Sequence, residues 1–242
     1  YDKGVIQSTR LGNHLGSIDL GLEYQFSTIK LFLYRQNFYE AGALYHLANI
    51  QDGLNGISIE HKPDSASVFK WKKFVIEFLY TKNQAGEPWS PPTPSPYENY
   101  YNHYQYVEGW SYQGIGLGTP FITARPYVRD DLPSYSRQYF TNNRVMAFHF
   151  GFSGAIQKWD YFLKLSWSIN YGTYFTTDQE QTTDIPNPGS YGIFGEQKQL
   201  SALFECNRLI KNGFAIGTLM AFDIGKLLNN SGGIFLNITK SF

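Results

Sequence analysis

The stretch that decides the fold is Trp159-Asp-Tyr-Phe-Leu-Lys-Leu-Ser-Trp-Ser-Ile-Asn-Tyr171. Its odd positions are Trp159, Tyr161, Leu163, Leu165, Trp167, Ile169 and Tyr171; its even positions are Asp160, Phe162, Lys164, Ser166, Ser168 and Asn170. Alternation with period two gives a strand one apolar face and one mostly polar face. The run is well beyond the ~5–6 residues usual for a globular strand. It suits a strand crossing a bilayer at a tilt, which needs ~9–11 residues with apolar side chains toward lipid and polar ones toward the lumen.

Working outward, the pattern recurs. Ile18, Leu20, Leu22, Tyr24 and Phe26 alternate with polar or small residues over 16–27, and Phe74, Ile76, Phe78 and Tyr80 alternate with Lys73, Val75, Glu77 and Leu79 over 73–80. Met146, Phe148, Phe150 and Phe152 mark 145–152. Leu200, Ala202, Phe204 and Cys206 form another set, and Phe214, Ile216, Thr218, Met220, Phe222 and Ile224 the next. Weaker strands fit 29–36 and 54–61, an opening strand fits 3–10, and Ile234 to Phe242 alternate to the end. Short connections near 27–29, 62–67, 154–158 and 208–212 alternate with long ones at 37–53, 82–142, 172–196 and 226–232. Short turns on one side and long loops on the other are expected of an outer-membrane barrel. The expected fold is therefore all-β: a transmembrane antiparallel up-and-down β-barrel of about 10–12 strands. Ten strands are read directly, and one or two more fit within 109–135. Residues 1–242 form one domain carrying a long Pro/Tyr-rich extracellular loop at 82–142. A water-soluble sandwich is the rival, but it uses shorter strands with turns every ~8–12 residues.

Composition agrees. The chain holds 19 Tyr, 19 Phe and 5 Trp, so aromatics reach 18%, while charged residues reach only 17%, against roughly 25% in ordinary soluble domains. With 20 basic and 20 acidic residues the formal charge is zero, which removes the electrostatic footprint of a nucleic-acid binder. One cysteine excludes a disulfide framework and any Cys-cluster metal site, and Cys206 on the apolar face reads as a small hydrophobe. No helical run is long and apolar enough to span a bilayer. The sequence opens on Tyr1 without a leader, which reads as a mature or partial chain.

Candidate chemistry concentrates in the long loop. Glu87 to Tyr97 is Pro-rich and extended, followed by a Tyr-rich run containing Trp110. Aromatic faces stack on sugar C–H surfaces while polar groups fix orientation, so Trp89, Trp110 and Tyr112, with Asp52 and Arg125 near strand ends, are the candidate polysaccharide-binding residues. An interfacial aromatic belt, or a loop folded into the lumen, is the plainer reading of the same residues. Gly114-Ile-Gly-Leu-Gly118 lacks the spacing and the Lys of a phosphate loop. No catalytic or metal site is expected, and no cofactor. A turn at 154–158 places His149 opposite Phe162 or Lys164, away from Ser166 and Ser168, and the other histidines lack metal-ligand spacing. Inward Glu23, Glu77, Lys73, Lys164 and Glu205 read as lumen charges pairing across the interior.

The final strand, ending on Phe242, resembles the C-terminal strand of bacterial outer-membrane proteins that the barrel-assembly machinery recognises, although Lys240 departs from the usual hydrophobic residue. Further strings carry a family resemblance: Gly12-Asn-His-Leu-Gly-Ser17, Leu31-Phe-Leu-Tyr-Arg-Gln-Asn-Phe-Tyr-Glu40, Asp52-Gly-Leu-Asn-Gly56, Glu77 to Gly86, Gly109-Trp-Ser-Tyr-Gln-Gly114 and Asn142-Asn-Arg144. In this order they resemble the Wzi capsule-assembly outer-membrane family, in its Bacteroidetes-type branch. The resemblance implies a non-enzymatic barrel lectin of the bacterial outer membrane that holds surface polysaccharide, contacting lipid and, during insertion, the assembly machinery. Members are about twice as long with 18 strands, so the chain resembles the C-terminal part of such a barrel or a smaller relative. The rival functions are an outer-membrane pore or transporter, and a structural subunit of a larger envelope complex.

Overall fold

A computed structural model describes residues 15–40, 47–63, 67–85, 98–177 and 191–240. The expected opening strand at 3–10, the Pro-rich segment with Trp89, and Phe242 lie outside the described residues. In chain order the strands are β1 (Gly16–Gln25), β2 (Ile29–Tyr39), β3 (Gly53–His61), β4 (Phe69–Tyr80), β5 (Ser111–Tyr112), β6 (Ile115–Gly116), β7 (Thr123–Ala124), β8 (Phe140–Asn142), β9 (Val145–Ile156), β10 (Trp159–Asn170), β11 (Gln197–Leu209), β12 (Phe214–Gly225) and β13 (Ser231–Lys240). Nine of them form one antiparallel up-and-down sheet in the order β1-β2-β3-β4-β9-β10-β11-β12-β13. The chain is thus all-β, with β1 and β13 as the sheet's two edges among the described residues. The expected closed barrel is not formed by these strands. Nor does 109–135 contribute full-length strands: β5 to β8 are two or three residues each and pair only among themselves.

The alternation read from the sequence is the alternation observed. Leu22, Leu33, Ile57, Ile76, Phe150, Leu165, Ala202, Phe222 and Gly232 mark the one face across the registers of neighbouring strands, and the other is mixed, with the polar residues and also Phe38, Leu79 and Leu203. The apolar face is the uncovered one: Leu20 is 65% exposed, Phe148 47% and Ile238 76%. The buried apolar clusters lie elsewhere, where the loops meet the sheet. One joins Tyr100, Tyr101, Ile122, Ala124 and Phe140 within the 98–142 segment. Another seats Phe121 of that segment against Leu79, Val145 and Ala147 on the polar-facing side of β4 and β9. The segment therefore folds back over the sheet's polar face, leaving the apolar face bare.

Two expectations are corrected. The β9–β10 connection is not a five-residue turn at 154–158 but a two-residue turn at Gln157-Lys158, since Ile156 pairs with Trp159. Gln157 takes the left-handed conformation (φ 54°) that such a turn demands. The strand continues through Gly154 because the Tyr161 ring covers that glycine, filling the outward position its own side chain leaves empty. Second, Gly114 to Gly118 is strand only at Ile115–Gly116 (β6): Gly114 (φ 80°) turns the short β5–β6 hairpin. In β4 a bulge between Trp71 and Lys73 lets consecutive lysines serve one face. Lys72 pairs with Asp160 at 2.5 Å and Lys73 with Glu60 at 2.8 Å. These pairs are half-exposed and contribute little individually. Glu23 pairs with Lys30 at 2.9 Å, whereas Glu77 takes a tyrosine hydroxyl and Glu205 an asparagine amide.

Gly56 has a specific job. Tyr34 on β2 reaches across β3 to donate its hydroxyl to Glu77 on β4, and a Cβ at position 56 would lie 2.1 Å from the Tyr34 ring. Gly56→Val should force the ring aside and cost about 1–3 kcal/mol. Tyr34→Phe, which loses only the hydroxyl, should cost about 1 kcal/mol. Equilibrium denaturant unfolding reads both; a Gly56→Val protein as stable as the parent would contradict the crossing.

Candidate functional site: the loop-roofed polar face

One register of the sheet carries a polar row. Tyr34, Gly56, Glu77, His149, Ser166, Ser201, Asp223 and Ser231 pair successively from β2 to β13. Because each sits at the same phase of its strand, all point to the same face. Tyr34 donates to Glu77, His149 Nδ1 and Ser166 Oγ lie 2.7 Å apart, and Ser201 Oγ donates to Asp223 Oδ1 at 2.5 Å. Toward the long-loop rim the row is backed by uncharged polar groups. Asn170 donates to Ser168 Oγ at 2.9 Å and accepts from Asn142 Nδ2 at 3.0 Å.

Over this row the 98–142 segment builds a roof. Trp110 and Leu117 are held to Tyr101 by backbone bonds (Trp110 N to Tyr101 O, 2.7 Å; Leu117 N to Trp110 O, 3.0 Å). The strap Gly118-Thr-Pro-Phe121 then crosses above Ser166 and Ser201. A cavity of about 810 Å³ lies on one side, with Glu77, His149 and Asp223 in its floor and Trp110, Tyr101 and Phe38 in its walls. A second, of about 620 Å³, lies on the other side over Ser168, Asn170 and Gln199. Ser166 and Ser201 line both.

Amide side chains fasten the roof to the rim. Asp52, fully buried beside the start of β3, accepts from Gln84 N at 2.6 Å, Asn83 N at 3.0 Å and Tyr100 Oη at 2.7 Å. Asn143 donates to Asn99 Oδ1 at 2.6 Å and to Tyr100 O at 3.0 Å, and Gln84 donates to Asn143 Oδ1 at 3.1 Å. Asn102 reads Phe140 as a strand would, accepting from its N–H at 2.9 Å and donating to its carbonyl at 2.8 Å. Arg144 lies over the Tyr174 ring, 4.0 Å from its centre, while the Tyr174 hydroxyl donates to Asn83 O at 2.7 Å. Buried polar groups are tolerated because they are paired, and removing one partner strands the other.

The sequence-derived candidates fall in different places. Trp110 is part-buried and lines the larger cavity. Tyr112 is 65% exposed on the tip of the β5–β6 hairpin. Asp52 has both carboxylate oxygens committed within the protein, and the Arg125 guanidinium braces the loop by donating to the Tyr135 and Gln138 carbonyls. Trp89 lies outside the described residues. The structure thus brings one of the five to the cavity. The row itself escaped sequence reasoning: its members sit on the polar side of predicted strands, but their alignment depends on the turn at 157–158. With that turn corrected, His149 faces Ser166 directly rather than Phe162 or Lys164.

A serine hydroxyl on an imidazole is the contact that activates a nucleophile. Acyl transfer also asks for amide donors aimed at a developing oxyanion, and β10 around Ser166 is flanked on both sides by paired strands. What the row offers directly is an array of donors and acceptors beneath aromatic walls, suited to a polyhydroxylated ligand. Among the described residues no group of three or more His, Cys, Asp or Glu is placed to hold a metal ion. No protein-family model, curated protein or solved structure matches the chain.

Burial pushes the Asp52 carboxyl up to about 6, outweighing the Tyr100, Gln84 and Asn83 donors, with nearby Glu98 adding to the rise. A rise of this size corresponds to about 3 kcal/mol. Because the folded protein holds the proton more tightly, the contribution is fully present below pH about 4 and lost as pH rises through about 6. Denaturant unfolding from pH 4 to 8 should therefore show the parent losing stability relative to Asp52→Asn across that window. A pH-independent difference between the two proteins would contradict the assignment.

Proposed function

We propose that the chain forms wall and lumen of a β-barrel in the bacterial outer membrane and that it binds or organises surface polysaccharide without catalysing a reaction. The observation that carries the reading is the orientation of the sheet: nine strands hold their apolar side chains outward and uncovered, while the long loop lies on the polar face. In water a contiguous bare apolar surface of this kind is unstable or a binding surface. In a bilayer it is the required exterior, and the seven strands between β1 and β13 have a hydrogen-bonded neighbour on both sides. Among the described residues no helix is long and apolar enough to cross a membrane.

Polysaccharide binding is supported by the loop surface. Tyr104, Tyr106, Tyr112 and Tyr127 are each about half exposed or more, and His103 stacks on Tyr104 and Tyr106 at ring separations of 4.8 and 4.9 Å. Such a surface offers flat apolar faces with hydroxyl edges, the combination that suits pyranose rings. The sequence resemblance to the Wzi family favours the same role. The roof over the polar face favours an obstructed lumen over an open diffusion pore.

In cells the protein should fractionate with the outer membrane and migrate heat-modifiably on a denaturing gel. Phe150→Arg, on the outward face, should cost about 2–4 kcal/mol and deplete the compact band, whereas Ser153→Arg on the inward face should leave it. Recovery of the parent in the soluble fraction without detergent would sink the membrane reading. Replacing Tyr104, Tyr106 and Tyr112 together by Ala should lower surface-polysaccharide retention severalfold with the compact band intact. Unchanged retention would refute the loop's role, and steady single-channel conductance in planar bilayers would favour a pore.

A further inference from the structure

The two cavities under the Gly118–Phe121 strap share Ser166 and Ser201 in their floors. We infer that together they are an internal seat for a neutral oligosaccharide segment, lying along the sheet's polar row beneath the strap. The inference rests on the polysaccharide reading and places a binding site inside the sheet, away from the exposed Tyr104, Tyr106 and Tyr112; of the exposed loop tyrosines, Tyr127 borders the smaller cavity.

Three observations define the ligand class. The first is the lining: Trp110, Tyr101 and Phe38 give the larger cavity apolar aromatic walls, while its floor is polar. A pyranose ring has the same division, with C–H faces and a rim of hydroxyls. The second is the hydrogen-bonding inventory. Ser166 and Ser201 hydroxyls, His149, and the Glu77 and Asp223 carboxylates mix donors with acceptors, and Ser168, Asn170 and Gln199 extend the row uncharged into the second cavity. Carboxylates accept in pairs from vicinal hydroxyls, and amides both give and take. The third is charge. Glu77 and Asp223 face a single lysine, Lys164, in the larger lining, so a uronic acid or other anionic sugar would bring a third carboxylate against two. Specificity here comes from that repulsion as much as from attraction. The combined size, about 810 and 620 Å³, falls in the range of small-molecule sites and accommodates more than one sugar ring.

The test uses purified full-length protein in detergent, titrated calorimetrically with glucose, galactose, mannose and N-acetylglucosamine, their homo-oligomers of two to four units, and glucuronate. At least one neutral di- to tetrasaccharide should bind saturably, more tightly than its monomer, and at least tenfold more tightly than glucuronate. Ser201→Phe, which fills the junction of the two cavities, should weaken that binding at least tenfold, and Ser166→Leu should do the same should Ser201→Phe fail to fold. Asp160→Asn, at the far end of the sheet, should leave it within twofold. Retention of cell-surface polysaccharide by a protein that binds none of these sugars would overturn the seat and leave the polysaccharide reading standing. Saturable binding lost in Ser201→Phe, from a protein that retains no polysaccharide, would do the reverse. Glucuronate binding as tight as the neutral sugars would overturn the assigned class.

Discussion

Everything in this molecule depends on which side of the sheet is left without protein. In a water-soluble sandwich the apolar faces of two sheets meet, and the core lies between them. Here the apolar faces of nine strands turn away from the other described residues, and among those residues the buried apolar clusters lie within the loops or where a loop touches the polar side. The energetics of the sheet are then set by whatever lies against that outward face, and the interior becomes the place where hydrogen bonding and charge are arranged. The ion pairs near the short turns and the hydroxyl row nearer the long loops follow from that inversion.

The inversion also explains why the 98–142 segment is fastened with amides. A loop lying on an apolar surface is held by burial, without direction. A loop lying on a polar surface competes with water for every contact, so it needs multiple, geometrically exclusive bonds. Asn99, Asn102, Asn142, Asn143 and Gln84 supply them, each pairing side chain to side chain or to backbone in place of a strand neighbour. Asp52 adds a charge that is costly to bury and is held by three donors. The roof is therefore specified in position, and the space beneath it persists as a defined volume.

The strands were legible because period-two alternation survives in each of them, and it needs only local sequence. All nine appear within a few residues of where the alternation places them. What was not legible depends on distance along the chain. Gln157-Lys158 carries none of the Asn-Gly or Asp-Gly signals of a two-residue turn, and Gly154 interrupts the outward pattern, so β9 looked shorter than it is and its partner register slipped. A slip of that kind is enough to separate His149 from Ser166 on paper while they touch in the fold. Asp52 and Arg125 have the residue types of a ligand site, and only tertiary contacts reveal that their polar atoms face their own chain. Trp110 stands out in the sequence as the indole of the Tyr-rich loop, and that it lines the larger cavity is visible only in the fold.

The direction of the edge strands has a geometric corollary. Antiparallel neighbours alternate in direction, so in a run of nine the first and last members, β1 and β13, point the same way. Laid against each other they would form a parallel ladder, the pairing that hairpin-built sheets do not make by direct connection. A ring in which every neighbour is antiparallel must have an even number of staves. Any such ring that incorporates this sheet takes an odd number of strands in addition to the nine, and its two seams fall along β1 and β13, whose outward leucines and isoleucines are all at least half exposed.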